Sequence, residues 1–220
     1  MSISVMLVDD HTIVREGLRR IIEAESDMRV IGEASDGLRA IELAARLSPR
    51  IVVMDINMGE LDGIEATWQI TADNPRAKVI MLSMYDSLGY LRRAVQAGAA
   101  GYLLKESAGA ELIDAIRRVH SGRQYFSAKM ADRLAELVRE KIGEDASEDP
   151  LTLLSPRERL VYLMLVQGQP NQRIAEILHI SAKTVATYRS RIQTKLGVSE
   201  MVGLIHIAME HGLTTRQPNK

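Results

Sequence analysis

Five side chains in the first half of the sequence could do chemistry together. The adjacent carboxylates Asp9 and Asp10 follow an apolar run at 3–8, and Asp55 follows another at 51–54. Ser83 follows a third at 78–82, and Lys105 follows a fourth at 100–104. In a doubly wound sheet, groups at the carboxyl ends of the strands gather on one rim. Three carboxylates there repel one another unless a cation joins them, and oxygen-only ligands favour Mg²⁺. With Mg²⁺ and Lys105 neutralising the charge, Asp55 becomes a nucleophile toward a phosphoryl group. The metal, Lys105 and the Ser83 hydroxyl would then hold its three equatorial oxygens. Singly, each residue has a blander reading: Asp10 as the cap of a helix from Thr12, Lys105 as a surface lysine, Ser83 as a turn residue. Their placement at successive strand ends outweighs those readings.

The elements that must position them follow from periodicity. A further apolar run at 28–32 brings the strands to five, each continuous enough to be buried on both faces of a parallel sheet. Helix-period segments lie between and after them, near 12–24, 37–47, 63–72, 87–97 and 109–121. Five βα units in a row imply a parallel sheet covered on both sides, the flavodoxin-like order 2-1-3-4-5 being the commonest. Beyond Gly122 the spacing predicts an amphipathic helix over 127–142, with Met130, Leu134, Leu137 and Val138 on one side. The acidic stretch GEDASEDP at 143–150 reads as a flexible linker.

From Leu151 on, every signal is helical. Ser155-Pro156-Arg157-Glu158 is a capping box with Pro at the first helical position, opening a helix that Gly168 ends. Asn171 is expected to cap a short helix through His179, and Ser181 a longer one to Leu196, closed by Gly197. A last helix is expected over 200–211. The pair across 171–196 has the size of a helix-turn-helix. In its second helix Val185, Ile192 and Leu196 mark the buried stripe. Lys183, Ala186, Thr187 and Ser190 face the other way, with Arg189, Arg191 and Lys195 on the flanks. No acidic residue occurs from Ile177 through Ser199, which suits docking against phosphates. An ordinary basic surface helix is the bland alternative.

These motifs carry a resemblance. VDDHTIVREGL, VMDINMGELDGIEA, LSMYD and AGAAGYLLKES, within residues 3–121, resemble the receiver domain of bacterial two-component response regulators. The resemblance implies Asp55 as phosphoacceptor, fed by a sensor histidine kinase. It further implies Asp10 as a direct Mg²⁺ ligand, Asp9 acting through water and Asn57 lending its backbone carbonyl. Ser83 and Lys105 would contact the phosphoryl oxygens, and Tyr102 would swing inward on activation. Two departures stand out. Gly59 replaces the usual Pro of the loop after Asp55, which predicts a looser loop. Glu106 replaces the Pro that commonly follows the lysine, so Lys105 is less fixed in position than in identity.

Residues 151–213, above all TVATYRSRIQTKLGV, resemble the LuxR-type output domain. The pairing is that of the NarL/FixJ subfamily. It implies a recognition helix at about 182–196, a homodimer on paired DNA half-sites and a dimer contact on the last helix, for which Val202, Ile205 and Met209 are the candidates, each fitting a core role at least as well. RNA polymerase is a further implied partner.

Composition narrows the rest. Over 220 residues, 46% hydrophobic and 26% charged is an ordinary globular balance; with one Trp and one Phe, the cores must be aliphatic and methionine-rich. No apolar run nears the roughly 18 residues needed to span a bilayer, and no signal peptide is evident. The absence of cysteine excludes thiolate metal sites and fits a cytoplasmic location. Charge is uneven: residues 1–128 carry 15 Lys+Arg against 18 Asp+Glu, residues 129–149 carry 4 against 7, and residues 150–220 carry 9 against 4. Only the last third is basic, which points it alone at a polyanion.

The expectation is therefore a receiver over 1–122, a linker helix and acidic linker over 123–150, and a DNA-binding domain over 151–220. Together they would form a phosphorylation-activated transcriptional regulator, not an enzyme. The rival is a phosphatase that uses Asp55 as nucleophile; Asn57, standing where its general acid should be, argues against it.

Overall fold

The computed structural model describes residues 2–59, 61–134 and 150–210, in two compact units, Met1–Asp145 and Ala146–Lys220. The first unit alternates β1 (Ile3–Val8), α1 (Thr12–Glu23), β2 (Met28–Ala34), α2 (Gly37–Leu47), β3 (Ile51–Asp55), α3 (Gly63–Asp73), β4 (Lys78–Ser83), α4 (Leu88–Gln96), β5 (Gly101–Leu104) and α5 (Lys105–His120). All strand pairs are parallel, in the order β2-β1-β3-β4-β5-β6. The sheet thus has six strands where periodicity predicts five. The added β6 (Tyr125–Phe126) pairs with β5 across Gly101 and Tyr102, and two residues are too short to show a period.

Val5, Leu7, Val53, Ile80, Leu82 and Leu103 pack one face of the sheet against Leu18 and Ile22 of α1 and Leu112, Ile116 and Val119 of α5. Each such side chain contributes about 1.5–3 kcal/mol on full burial, so this layer fixes the register of the strand ends. Asp36 and Asp62 cap α2 and α3 by accepting from the amides of Arg39 and Glu65. Asp10 does not cap α1: His11 holds that position and its side chain makes no cap bond. α5 begins at Lys105, four residues before the expected 109, because no proline breaks the first turn and Glu106 suits the positive end of the helix.

Residues 128–134 are helical, as expected; the remainder of the proposed 127–142 helix, with Leu137 and Val138, lies outside the described residues. So does nearly all of the 143–150 linker.

The second unit is helical: a 3₁₀ turn (Pro150–Leu153), then α6 (Pro156–Val166), α7 (Asn171–Ile177), α8 (Ala182–Leu196) and α9 (Met201–Glu210). Both arms of the capping box form, with Glu158 Oε2 accepting from the Ser155 amide at 2.8 Å. From Glu158 to Val166 every residue of α6 is buried, so this helix is the core on which the others rest. Tyr162 donates to the Leu204 carbonyl at 2.9 Å and ties α9 to it. Asn171 is not a cap; α7 already starts there, and Pro170 precedes it. Ser181 and Gly197 do close α8 at its two ends, Gly197 at φ 67°. His179 makes the glycine-free turn between α7 and α8 at φ 52°.

Candidate functional site

The strand ends of the first unit bring Asp9, Asp55, Ser83 and Lys105 onto one rim. The Lys105 ammonium lies 2.7 Å from Asp9 Oδ2 and 2.8 Å from Asp55 Oδ2, and both carboxylates are buried. One ligand atom from each of Asp9, Asp10, His11 and Asp55 lies within 4.8 Å of the others. Burial pushes the Asp55 carboxyl up, and the Asp9 charge adds to that; Lys105 and the Asn57 backbone amide pull the other way. Burial likewise works against the Lys105 charge, but Asp55 and Asp9 outweigh it and hold the ammonium above its ordinary range. Two buried carboxylates thus share one half-buried ammonium, with the exposed Asp10 beside them. The donor set is hard, oxygen-dominated and open to water through the exposed Asp10, so it fits a divalent cation held by Asp9, Asp10 and Asp55.

Three groups at this rim carry little or no signal in the sequence. His11 donates its backbone amide to Asp9 Oδ1 at 2.8 Å and sets its Nδ1 2.7 Å from Asp10 Oδ1. Arg15 reaches the Asp9 carbonyl from the first turns of α1 and is backed by Glu33 on β2. Only its spacing of four from His11, one helical turn, hints at that. Gly63 opens α3 directly against Asp55, where a Cβ would collide with the Asp55 carbonyl. The loop between them lacks the usual proline, yet it is pinned by buried Met58 and Leu61 and by the Gly63 amide on the Ile56 carbonyl at 2.9 Å.

Ser83 is fully buried and already occupied: its hydroxyl donates to the Tyr85 carbonyl at 2.9 Å and accepts from the Tyr85 amide at 3.0 Å. Tyr102, expected to swing inward, stands inward in this structure. Its hydroxyl lies 3.4 Å from the same carbonyl, and burial pushes it up to about 12. Arg93 is held by Asp62 at 3.0 Å and Glu65 at 3.3 Å, and Glu111 accepts from Tyr125.

In the second unit Val185 and Ile192 point α8 into the core, and Leu196 is half-buried. Lys183, Ala186, Thr187, Ser190 and Arg191 are exposed, and Arg189 is half-buried. The Thr187 hydroxyl donates to the Lys183 carbonyl at 3.0 Å, which leaves its methyl as the outward contact. Lys195, grouped with the phosphate-facing cations above, is exposed but tied back to the fold. Its ammonium bonds Glu158 Oε2 at 2.6 Å and the Leu153 carbonyl at 3.1 Å. Burial works against the Glu158 charge, but Lys195 and the Ser155 groups hold its carboxyl below the ordinary range. Val202 and Met209 of α9 are strongly exposed, at 72% and 61%, among the most exposed large apolar side chains described.

A parallel α/β unit with an acid–lysine rim, joined to a helix-turn-helix, defines a class, and comparison with known proteins agrees. Residues 5–117 match the response regulator receiver domain, and residues 152–208 match the bacterial regulatory proteins of the luxR family. The chain is 40% identical over 211 residues to the response regulator UvrY of Escherichia coli, covering 96% of this chain and 95% of that protein. It is 38% identical over 214 residues to the transcriptional regulatory protein MctR of Rhizobium johnstonii, covering 97% and 96%. A two-component response regulator of the LuxR family from Aurantimonas superposes with a TM-score of 0.60 at 39% identity, over 63% of this chain and 99% of that one. The response regulator ChrA of a heme-sensing two-component system superposes at 0.52 with 36% identity, over 97% and 99%. The chain belongs to the response regulators of the NarL/FixJ type, transcriptional regulators built from a receiver and a LuxR-type DNA-binding domain. No helix among the described residues is long and apolar enough to cross a membrane.

Proposed function

We propose that Asp55 accepts a phosphoryl group from a sensor histidine kinase and that this controls DNA binding by the 151–220 domain, with 1–122 as receiver and 123–150 as linker. The observation that carries the reading is the half-buried Lys105 ammonium bridging the buried carboxylates of Asp55 and Asp9. Lys105 opposes the effect of burial and favours the anionic carboxylate that must attack. An oxygen of Asp55 forms the new P–O bond as the donor's P–N bond breaks, and the departing imidazole nitrogen keeps the electron pair. Lys105 is then placed against a phosphoryl oxygen, and Ser83 becomes the donor to another once it turns from Tyr85. A Mg²⁺ ion held by Asp9, Asp10, Asp55 and the Asn57 carbonyl would neutralise the charge that develops there.

On the output side, Lys183, Arg189 and Arg191 contact phosphates, while Ala186, the Thr187 methyl and Ser190 approach base edges in the major groove. Lys195 acts on DNA only by stiffening α8, since Glu158 holds it. Val202, Ile205 and Met209 supply the contact of a homodimer that forms on phosphorylation and reads paired half-sites. The bound dimer acts on RNA polymerase, in the cytoplasm.

Intact-mass measurement tests the first step. With Mg²⁺ and a small acyl phosphate, the wild type gains one phosphoryl group and Asp55→Ala gains none; equal labelling of both contradicts the assignment.

A further inference from the structure

The loop from Met84 to Ser87 joins the rim to a place far from it along the chain. Tyr85 carries both bonds of the Ser83 hydroxyl on its backbone, and the Tyr102 hydroxyl leans on the same carbonyl. The next residue, Asp86, reaches across to Lys129, Oδ2 to Nζ 3.0 Å. Lys129 belongs to the helical stretch 128–134, the last described part of the first unit; the second unit is described from Pro150. That stretch has two more anchors. Met130 is fully buried, and the Ser127 amide donates to the Tyr102 carbonyl at 3.1 Å as a continuation of the β5–β6 ladder. The start of this helix is therefore attached both to the loop that answers to Ser83 and to the backbone of Tyr102.

We infer that Asp86 and Lys129 are a positioning pair that reports the state of Ser83 to the helix leading toward the DNA-binding domain. The inference rests on phosphorylation of Asp55 as proposed above. A hydroxyl has one proton to donate. When Ser83 gives it to a phosphoryl oxygen, the Tyr85 carbonyl loses its shorter donor and the backbone of 85–86 is released. Asp86 moves with that backbone, and the ammonium of Lys129 either follows or loses its partner. Either outcome changes how the helix is held at its first turn.

Lys129, with Arg133 near it, keeps the Asp86 carboxyl below the ordinary range, so Asp86 stays ionised across the neutral pH range. Both side chains are substantially exposed, 59% for Lys129 and 40% for Asp86. An exposed pair of this kind shifts an equilibrium by about two- to five-fold rather than by orders of magnitude. Such a size suits a coupling element: it biases the helix without locking it.

The test uses the full chain and a duplex obtained by randomised-site selection. The readout is the ratio of DNA affinity with and without acyl-phosphate labelling. Asp86→Asn and Lys129→Gln are expected to lower that ratio about two- to five-fold, and Lys129→Arg to retain it. Labelling of Asp55 and the unfolding midpoint should stay at wild-type values in all of them, which a merely structural role would not explain. The double variant Asp86→Asn/Lys129→Gln should be no worse than Asp86→Asn alone. An unchanged ratio in both single variants overturns the inference, as do single effects that simply add in the double. A wild-type ratio of one strikes the proposed function itself, and the coupling with it.

Discussion

The rim of the receiver and the outer face of α8 are the two proposed functional surfaces, and they are built in opposite ways. Asp9, Asp55 and Lys105 come from three separate strand ends, are largely buried and touch within 3 Å in the structure. Lys183, Ala186, Thr187 and Ser190 come from two turns of one helix, stand in solvent and make few contacts with the rest of the fold. The rim is preorganised by the sheet, so a change in any member disturbs the others. The helix face is completed only by its partner, so its members should act more independently. A buried chemical step needs the first arrangement, whereas reading a long polyanion tolerates the second.

Substitutions at the two surfaces test that contrast. The largest effect is expected at the rim. Lys105→Ala leaves two buried carboxylates without their ammonium, and labelling of Asp55 should slow about 10²-fold or more. Single-turnover labelling followed by mass measures this, and a rate near wild type would show the rim to be less coupled than its geometry says. Gly63→Ala forces a Cβ into the Asp55 carbonyl, a backbone group that cannot turn aside. It should cost about 3 kcal/mol in chemical unfolding, the upper part of the range for overpacking.

The DNA-binding domain has one preorganised element of its own, the Lys195–Glu158 pair, and pH exposes it. Because the folded Glu158 carboxyl lies below its ordinary 4.5, its stabilisation is complete above that value and is lost as pH falls through the folded pKa. Unfolding of this domain followed from about pH 6 to pH 3 should show that loss in the wild type and a flatter profile in Glu158→Gln. The two lysines of α8 should then part company. Lys183→Ala should lower the slope of log affinity against log salt by about one unit. Lys195→Ala should leave that slope largely intact and instead cost about 1 kcal/mol of stability, since half-exposed pairs are worth little. The smallest effect is expected for Thr187→Ala, which should shift the selected DNA consensus more than the affinity. An identical consensus from both proteins would show that Thr187 does not face the bases.

Much of the rim is legible in the sequence, because continuous apolar runs fix where parallel strands end and Asp9, Asp55, Ser83 and Lys105 stand at those ends. The remainder is hidden for physical reasons. β6 is two residues long, below the length at which alternation registers. His11 and Arg15 serve Asp9 through a backbone amide and a carbonyl, groups that no motif displays. Lys195 sits among other basic residues of α8, and its partner Glu158 is on another helix, so only the tertiary fold reveals that it is paired. Caps are readable where the side chain bonds a nearby amide, as at Ser155 and Ser181, and unreadable at Asn171, where the preceding proline already fixes the turn.

The central claim is that the buried rim controls the exposed helix face. Its most direct test is DNA affinity of the full chain at one fixed salt concentration, with and without a small acyl phosphate and Mg²⁺, for the wild type and Asp55→Ala. The account predicts that labelling tightens binding by the wild type and leaves Asp55→Ala unchanged. Equal tightening of both proteins, or none in a fully labelled wild type, would contradict it.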